Sequence, residues 1–220
     1  SAVSRFCEDK KGNIWISTED QGISYFDTKN KTFKNYTPKA GNSISYHNIH
    51  SLLLDDNRLL IGTFSRGLDI LDFKTGHFSN YRFGSHKDSN FNINSIFDLY
   101  KSSTGQIYVG TPFGLFTFDD KNKRLDFANL DGFVRAVTED YLGNLWVATY
   151  SSGAYCRPAV GGEWKNYHPN PDNPKAINSS KLIGAYIDSN QRLWFTSEDK
   201  GICKYNYETD DFTTIDESMG

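Results

Sequence analysis

Cysteine is scarce. Cys7, Cys156 and Cys203 are the only three in 220 residues, and they lie far apart, with no C-x-x-C pair and no histidine at metal-ligand spacing. A disulfide framework and a zinc site are therefore not expected, and the three thiols read as small apolar residues half-buried in strands. Long apolar runs are missing too. The longest stretches without a polar residue span a few positions, such as Leu52 to Leu54, against the roughly 20 needed to cross a bilayer as a helix. Methionine occurs once, at Met219, and no basic-then-apolar leader opens the chain, which reads as a processed or excised piece. Charge of one sign is lacking as well. The 24 basic and 27 acidic side chains leave a net charge of −3 without Lys/Arg runs. That removes the electrostatic reason to expect nucleic acid or an anionic membrane as partner. Helical periodicity is absent over any useful window, which excludes alternating β-α units.

What is present is aromatic content, 15% of the chain, and repetition. One phrase recurs five times. It runs Asp9-Lys-Lys-Gly-Asn-Ile-Trp-Ile-Ser-Thr18 before Gly22, and Asp140-Tyr-Leu-Gly-Asn-Leu-Trp-Val-Ala-Thr149 before Gly153. Weaker copies run from Asp55 to Thr63 before Gly67, from Ser103 to Thr111 before Gly114, and from Asp188 to Ser197 before Gly201. Aligned on Trp15, Leu60, Tyr108, Trp146 and Trp194, the units are spaced 45, 48, 38 and 48 residues apart, in the range of propeller blades. Within a unit the apolar period is 2: Ile14 and Ile16 flank Trp15, followed by Ile23, Tyr25, Phe33 and Tyr36. That alternation belongs to strands.

Four short runs per unit, A to D, read in the first copy as Val3 to Glu8, Ile14 to Thr18, Ile23 to Asp27 and Thr32 to Tyr36, separated by Gly-Asn and Asp-Thr-Lys-Asn turns. One four-stranded antiparallel sheet cannot bury both its faces, so five must stack around an axis with Trp, Tyr and Phe between them. The expected fold is all-β: a β-propeller of five four-stranded antiparallel blades in one array over 1–220. The blades fall at about 1–36, 49–81, 95–127, 133–167 and 182–215, as a closed five-blade ring or an arc of a larger propeller.

The phrase D-x-x-G-N-[IL]-W-[IV]-x-T-x-x-x-G-[IL], followed by F-D-x-x-T-x-x-F-x-x-Y, resembles the two-component regulator propeller repeat, and the resemblance runs over essentially the whole chain. There are departures. Unit 2 shortens the first turn and has Leu60 in place of Trp, unit 3 has Tyr108 and a shorter B–C loop, and unit 4 follows Gly153 with Ala-Tyr-Cys-Arg. The resemblance implies the periplasmic sensor region of a Bacteroidetes hybrid two-component system, which detects an oligosaccharide and switches on polysaccharide-utilisation genes through a histidine kinase and phosphorelay. It also implies that the remaining sensor blades and the kinase lie elsewhere in the parent chain. An open arc would leave an apolar blade face at each end, a route to homo-oligomers.

In an antiparallel A-B-C-D blade the A–B and C–D turns share one side of the disc, and the B–C loops and D–A crossovers share the other. The turn side repeats Gly-Asn and Asp-Thr or Asp-Lys, which answer backbone needs. The loop side varies. Its B–C loops read Glu19-Asp20-Gln21, Phe64-Ser65-Arg66, Pro112-Phe113, Tyr150-Ser151-Ser152 and Glu198-Asp199-Lys200. Rings can cover the C–H faces of a sugar, and charged or amide groups can bond its hydroxyls. The expected ligand contacts are Phe64, Arg66, Phe113 and Tyr150, extended by the crossover residues Tyr46, His47, Phe91, Asn92 and Lys181. The same loop aromatics also read as plugs at the top of the axis, and Arg66 as the partner of a neighbouring carboxylate. Ile44, Phe91 and Ile177 are expected to hold the crossovers onto the blades.

No H-E-x-x-H, G-x-S-x-G or Walker loop occurs, and the five histidines share no equivalent position. A glycosidase would need facing carboxylates about 5–10 Å apart. Asp9, Asp55, Asp140 and Asp188 occupy one repeated turn, and Asp98 alone lies inside a strand A, where it could approach the axis. The Asp9 and Asp188 turns lack the 12-residue ligand pattern of a calcium loop. Neither metal nor cofactor is expected. The reading is a non-catalytic oligosaccharide sensor module, with a protein–protein interaction propeller as the alternative and a propeller lyase or glycosidase as the third.

Overall fold

Twenty strands form five four-stranded antiparallel sheets, each in chain order, in a computed structural model that describes residues 2–84 and 92–215. The first sheet is β1 (Val3–Glu8), β2 (Ile14–Thr18), β3 (Ile23–Asp27) and β4 (Thr32–Tyr36). The second is β5 (Ile49–Asp55), β6 (Arg58–Thr63), β7 (Leu68–Asp72) and β8 (Phe78–Tyr81). The third is β9 (Asp98–Lys101), β10 (Ile107–Thr111), β11 (Gly114–Asp119) and β12 (Arg124–Leu130). The fourth is β13 (Val134–Glu139), β14 (Leu145–Thr149), β15 (Gly153–Arg157) and β16 (Lys165–Tyr167). The fifth is β17 (Leu182–Ile187), β18 (Leu193–Ser197), β19 (Ile202–Asn206) and β20 (Asp211–Ile215). The innermost strands pack in succession, β1 on β5, β5 on β9, β9 on β13 and β13 on β17. This is a β-propeller. No packing of that extent joins β17 to β1 among the described residues, so the five sheets form an open arc. Among the described residues no helix is long and apolar enough to cross a membrane.

The period of 2 explains how each sheet serves two junctions. In β14, Leu145 and Val147 enter the cluster shared with Tyr108, Leu115 and Val134, whereas Trp146 and Ala148 enter the one shared with Leu193 and Phe195. Trp146 is 1% exposed, its ring 4.6 Å from Tyr205 and 5.9 Å from Phe195. Trp15 makes the same junction one end along, stacked 5.7 Å from Phe73. Burying a large apolar side chain this fully stabilises by about 3 kcal/mol.

The repeated aspartates organise the first turn. Asp140 Oδ1 accepts the amides of Leu142 and Asn144 at 3.0 and 2.9 Å, and Oδ2 accepts the Trp146 indole N–H at 2.8 Å. Asp188 repeats this with Asn190, Arg192 and Trp194. Asp9 takes the Lys11 and Asn13 amides, but its other oxygen accepts the Tyr25 hydroxyl at 3.1 Å, and the buried Trp15 N–H has no partner among the described residues. One turn aspartate thus ties a hairpin to the junction residue that follows it.

Strand β12 runs past the expected limit of the third unit to Leu130, because Leu115 pairs with Leu130 while Phe116 pairs with Phe127. The extra residues are held in a bulge with Asn129 at φ 56°. With no crossover here, the chain passes almost directly into β13. Ile44 and Ile177 are buried under their crossovers, and Phe91 lies outside the described residues. The cysteines are free, in β1, β15 and β19, and burial pushes the thiols of Cys7 and Cys203 up to about 11 and that of Cys156 up to about 12.

Gly153 and Gly41 both adopt left-handed backbone, at φ 73° and 87°. A Cβ on Gly153 would lie 2.2 Å from the Tyr167 carbonyl oxygen, whereas one on Gly41 would meet nothing within 4 Å. Urea unfolding should show Gly41→Ala losing about 1–2 kcal/mol, the backbone cost alone. Gly153→Ala should lose roughly twice that, and equal losses would mean that strand D is not held against this glycine.

Candidate functional site

Each B–C loop is shaped by the hydroxyl that ends the repeated phrase. Thr18, Thr63, Thr111, Thr149 and Ser197 donate to the carbonyls of Gly22, Gly67, Gly114, Gly153 and Gly201. They accept the amides of Gln21, Arg66, Phe113, Ser152 and Lys200. A second device sets the loops against the axis. The first loop amide, of Glu19, Phe64, Tyr150 or Glu198, donates at 2.9–3.1 Å to the carbonyl of Ala2, Asn48, Phe133 or Lys181, just ahead of strand A. Pro112 holds that place in the third sheet and has no amide to give. The loop there takes another course, and Phe113 packs on the cluster of Ile93 and Phe116.

The innermost strands are bulged. Pairing shifts between Val3 and Arg5, Ile49 and Ser51, Val134 and Ala136, and Leu182 and Gly184, which leaves Ser4, His50, Arg135 and Ile183 as inserted residues. Phe97 has the corresponding place just ahead of β9. A bulge re-aims one side chain out of the strand's alternation. Here it gathers His50, Phe97 and Arg135 with the loop rings. His50 stacks on Phe64 at 5.3 Å and meets Phe97 edge-on at 4.5 Å. Phe97 meets Phe133 at 4.7 Å, and Phe133 meets Tyr150 at 5.7 Å. The Arg135 guanidinium lies over both Phe97 and Phe133, at 5.0 and 5.3 Å, a cation–π arrangement. At the end of the row the Tyr150 hydroxyl donates to Glu198, which stands 3.9 Å from Lys181.

The outcome is an aromatic row crossing three sheets on the loop side, 42% exposed at Phe64 and half-buried along His50, Phe97, Phe133 and Tyr150. Burial, reinforced by the Arg135 charge, pulls His50 below its ordinary value, so the imidazole in the row is neutral at pH 7. The hydrogen bond to Glu198 pushes the Tyr150 phenol up. Beneath the row, Asp98 Oδ2 accepts the Val137 amide at 2.7 Å and Oδ1 stands 3.5 Å from Arg5 of the first sheet, across the axis. Burial pushes this carboxyl up to about 6 despite Arg5. Among the described residues no group of three or more His, Cys, Asp or Glu side chains is placed to hold a metal ion.

Of the expected contacts, Phe64 and Tyr150 stand in the row and Lys181 at its end. Arg66 is exposed beside it, with its amide bonded to Thr63. Phe113 is half-buried, packed against the cluster of Ile93 and Phe116. Tyr46 and His47 lie 4.4 Å ring to ring on the first crossover, where the His47 carbonyl accepts the Gly22 amide. Asn92 closes a turn through Asn94 at 3.1 Å, and Phe91 is outside the described residues. His50, Phe97, Phe133, Arg135 and Glu198 were not among the expected contacts. Aligning the five copies on the first apolar residue of strand A (Val3, Ile49, Ile96, Val134, Leu182) would have exposed the bulge position, which holds a different residue type in every copy.

The family model described as "Two component regulator propeller" matches residues 1–20 and 130–151, the copies in which the phrase is fullest. Those two stretches match the two-component regulator propeller repeat that the sequence resembles. No curated protein matches it in sequence. Among solved structures it is similar to the extracellular domain of the putative hybrid two component system BT4673 from B. thetaiotaomicron (TM-score 0.78, 16% identity, 96% of this chain and 27% of that one). It is also similar to that of BT3049 from the same organism (TM-score 0.60, 17% identity, 97% and 39%). The fold extends to a catalytically inactive virginiamycin B lyase from Staphylococcus aureus with quinupristin (TM-score 0.72, 14% identity, 97% and 69%). The chain thus spans about a quarter to two fifths of the sensor domains it matches.

Asp98 gives a pH test of the axis. Its folded value lies above the ordinary 3.8, so the folded state holds the proton more tightly, and this group's contribution to stability falls as pH rises from about 4 through 6. Asp98→Asn keeps an acceptor for Val137 without the ionisation. Relative to wild type, the variant should gain little at pH 4 and up to about 3 kcal/mol at pH 8, at 1.36 kcal/mol per pH unit. A constant difference in urea midpoints across that range would show that the carboxyl is not held high.

Proposed function

We propose that this propeller is a non-catalytic, extracytoplasmic sensor module of a hybrid two-component system, acting in the periplasm. It binds an oligosaccharide on its loop side and passes the event to a histidine kinase of the parent chain, and so to a phosphorelay controlling polysaccharide-utilisation genes. The observation that carries the reading is the row His50–Phe64–Phe97–Phe133–Tyr150, open along one edge, with Arg135 flat against it and Glu198 and Lys181 at its end. Successive sugar rings present apolar C–H faces to such a row and hydroxyls to the charged groups beside it. Most polar groups on the turn side are already spent on the protein's own amides. The likeness to extracellular sensor domains and the matched repeats support the same reading.

For binding to become a signal, the ligand must prefer one arrangement of the sensor over another, because equal affinity shifts nothing. A row spanning three sheets suits that requirement, since a ligand lying along it senses their relative placement. A docked protein could use the same exposed ring, and a lyase or glycosidase would use the axis.

Calorimetric titration with a panel of plant, host and microbial oligosaccharides separates the three. The expected result is heat of binding from one glycan class without product formation, with Phe64→Ala and Tyr150→Ala each weakening affinity about 2–10-fold, the worth of one aromatic contact. Turnover of the glycan would replace the sensor by an enzyme, and silence across the panel would remove the oligosaccharide.

A further inference from the structure

The fourth sheet departs from the others at its turn-side edge. Four residues past the glycine that opens strand C, the five copies read Phe26, Leu71, Phe118, Arg157 and Tyr205. Leu71, Phe118 and Tyr205 are buried in the junction with the preceding sheet. Arg157 brings a half-buried guanidinium to that place. The next residue is Asp27, Asp72 or Asp119 in the first three sheets, where it accepts amides of its own C–D turn, and Pro158 in the fourth. On the facing third sheet, Ser102 closes the A–B turn that Asp9, Asp140 and Asp188 close elsewhere. The junction between the third and fourth sheets therefore lacks a turn acid on both of its walls.

What the protein supplies around this guanidinium is a mount. Arg157 Nη2 donates to the Tyr108 hydroxyl at 2.9 Å, and the guanidinium lies 4.8 Å from the centre of the Trp164 ring. Trp164 is itself fixed, its indole N–H donating to the Ala128 carbonyl at 3.2 Å across the junction. The group is thus held in one orientation, and little side-chain freedom is left to lose on binding. Arg58, in the junction between the second and third sheets, is saturated instead by Asp55 and Asp120 at 2.7 and 2.9 Å. Among the described residues Arg157 has no carboxylate partner, and none of its nitrogens is both buried and unbonded, so its remaining N–H donors open to solvent.

They open into a cleft of about 360 Å³, within the range of small-ligand sites. Tyr108 and Leu145 form its floor, Ser103 and Thr104 one wall, and Arg157 with the turn through Gly161 the other. Glu139, Leu145 and Arg157 stand side by side across β13, β14 and β15, which puts the carboxylate and the guanidinium on either side of the leucine, their strands about 10 Å apart. Each Glu139 oxygen takes one bond from Ser103, from its amide at 2.9 Å and from its hydroxyl, and keeps a second acceptor site. Both sheets have a neighbour on either side, so the cleft is complete without any further blade.

We propose that this cleft binds a small monocarboxylate that also carries hydroxyl or amino donors, such as a sugar acid or an amino acid. Its carboxylate takes the open edge of Arg157 in charge-assisted hydrogen bonds, and a donor at its other end meets Glu139. Glu139 repels a second negative charge, which selects against dicarboxylates and phosphate. The cleft lies on the turn side, on the opposite rim from the aromatic row, and its occupancy is independent of what that row binds.

Calorimetric titration of the 220-residue chain with D-glucuronate, L-serine, acetate, glucose and phosphate tests the site. D-glucuronate or L-serine should bind with a dissociation constant of about 1 mM, the order set by a dozen or fewer heavy atoms, and the tighter of the two identifies the source. Acetate should bind roughly tenfold more weakly for want of a donor to Glu139, and glucose and phosphate should give no heat. Arg157→Gln should weaken the acid about 10–100-fold, and Arg157→Lys, which keeps the charge without the fork, about 5–10-fold. Arg66→Gln, which removes the same charge from the other rim, should leave it unchanged. Glu139→Gln should admit the dicarboxylate D-glucarate, which the wild type rejects. Circular dichroism confirms each fold, and the Lys variant carries the comparison where the Gln variant does not fold. No heat from either acid overturns the proposal, as does equal binding of phosphate. So does an affinity unmoved in the folded Arg157 variants, an equal loss in Arg66→Gln, or a Glu139→Gln variant that still rejects D-glucarate.

Discussion

Burial of one large side chain between each pair of neighbouring sheets is the constraint on which the rest of the molecule depends. A four-stranded sheet with a period of 2 has two apolar faces and cannot hide either by itself. Trp15, Leu60, Tyr108 and Trp146 fill the gap at the same register in four successive junctions, all of them buried. The size of the residue varies while the position does not. In the fourth sheet the indole N–H is fixed by Asp140, so the hairpin turn and the sheet junction share one side chain and neither forms well without the other.

That arrangement divides labour between the two rims. On the turn side, Asp9, Asp27, Asp72, Asp119, Asp140 and Asp188 each accept two backbone amides of their own turns. Little is left there to recognise anything else. On the loop side the Thr or Ser hydroxyl satisfies the loop backbone, which frees Phe64, Tyr150 and Glu198 to face outward and inward as the axis requires. The bulges then add His50, Phe97 and Arg135 from the innermost strands. Recognition chemistry is placed on a rim whose backbone is already satisfied, so residues can change there at little cost to the sheets beneath.

The blade register was legible from the repeated phrase, because each residue in it answers a local demand: a turn that binds amides, a ring at a junction, a hydroxyl that closes a hairpin. The candidate site was legible only in its loop members. Phe64 and Tyr150 stand out as large rings in positions that otherwise carry small or charged residues. His50 and Arg135 do not, since a strand read with strict alternation assigns them to a blade face, and the inserted bulge position shows only when the five copies of strand A are aligned on their first apolar residue. Phe113 lies apart from the row for the converse reason: Pro112 has no amide to anchor the loop as in the other sheets, and the half-buried ring packs on the cluster of Ile93 and Phe116.

The repeat alone determined the strand count per blade, the chemistry of each turn and the identity of the junction residues, because these depend on neighbours within a few positions along the chain. Only the tertiary structure decided that the five sheets stop short of a ring and that three sheets pool their rings into one row. Those outcomes depend on the angle at which one sheet meets the next, a quantity set by all the contacts of a junction together and written in no single residue.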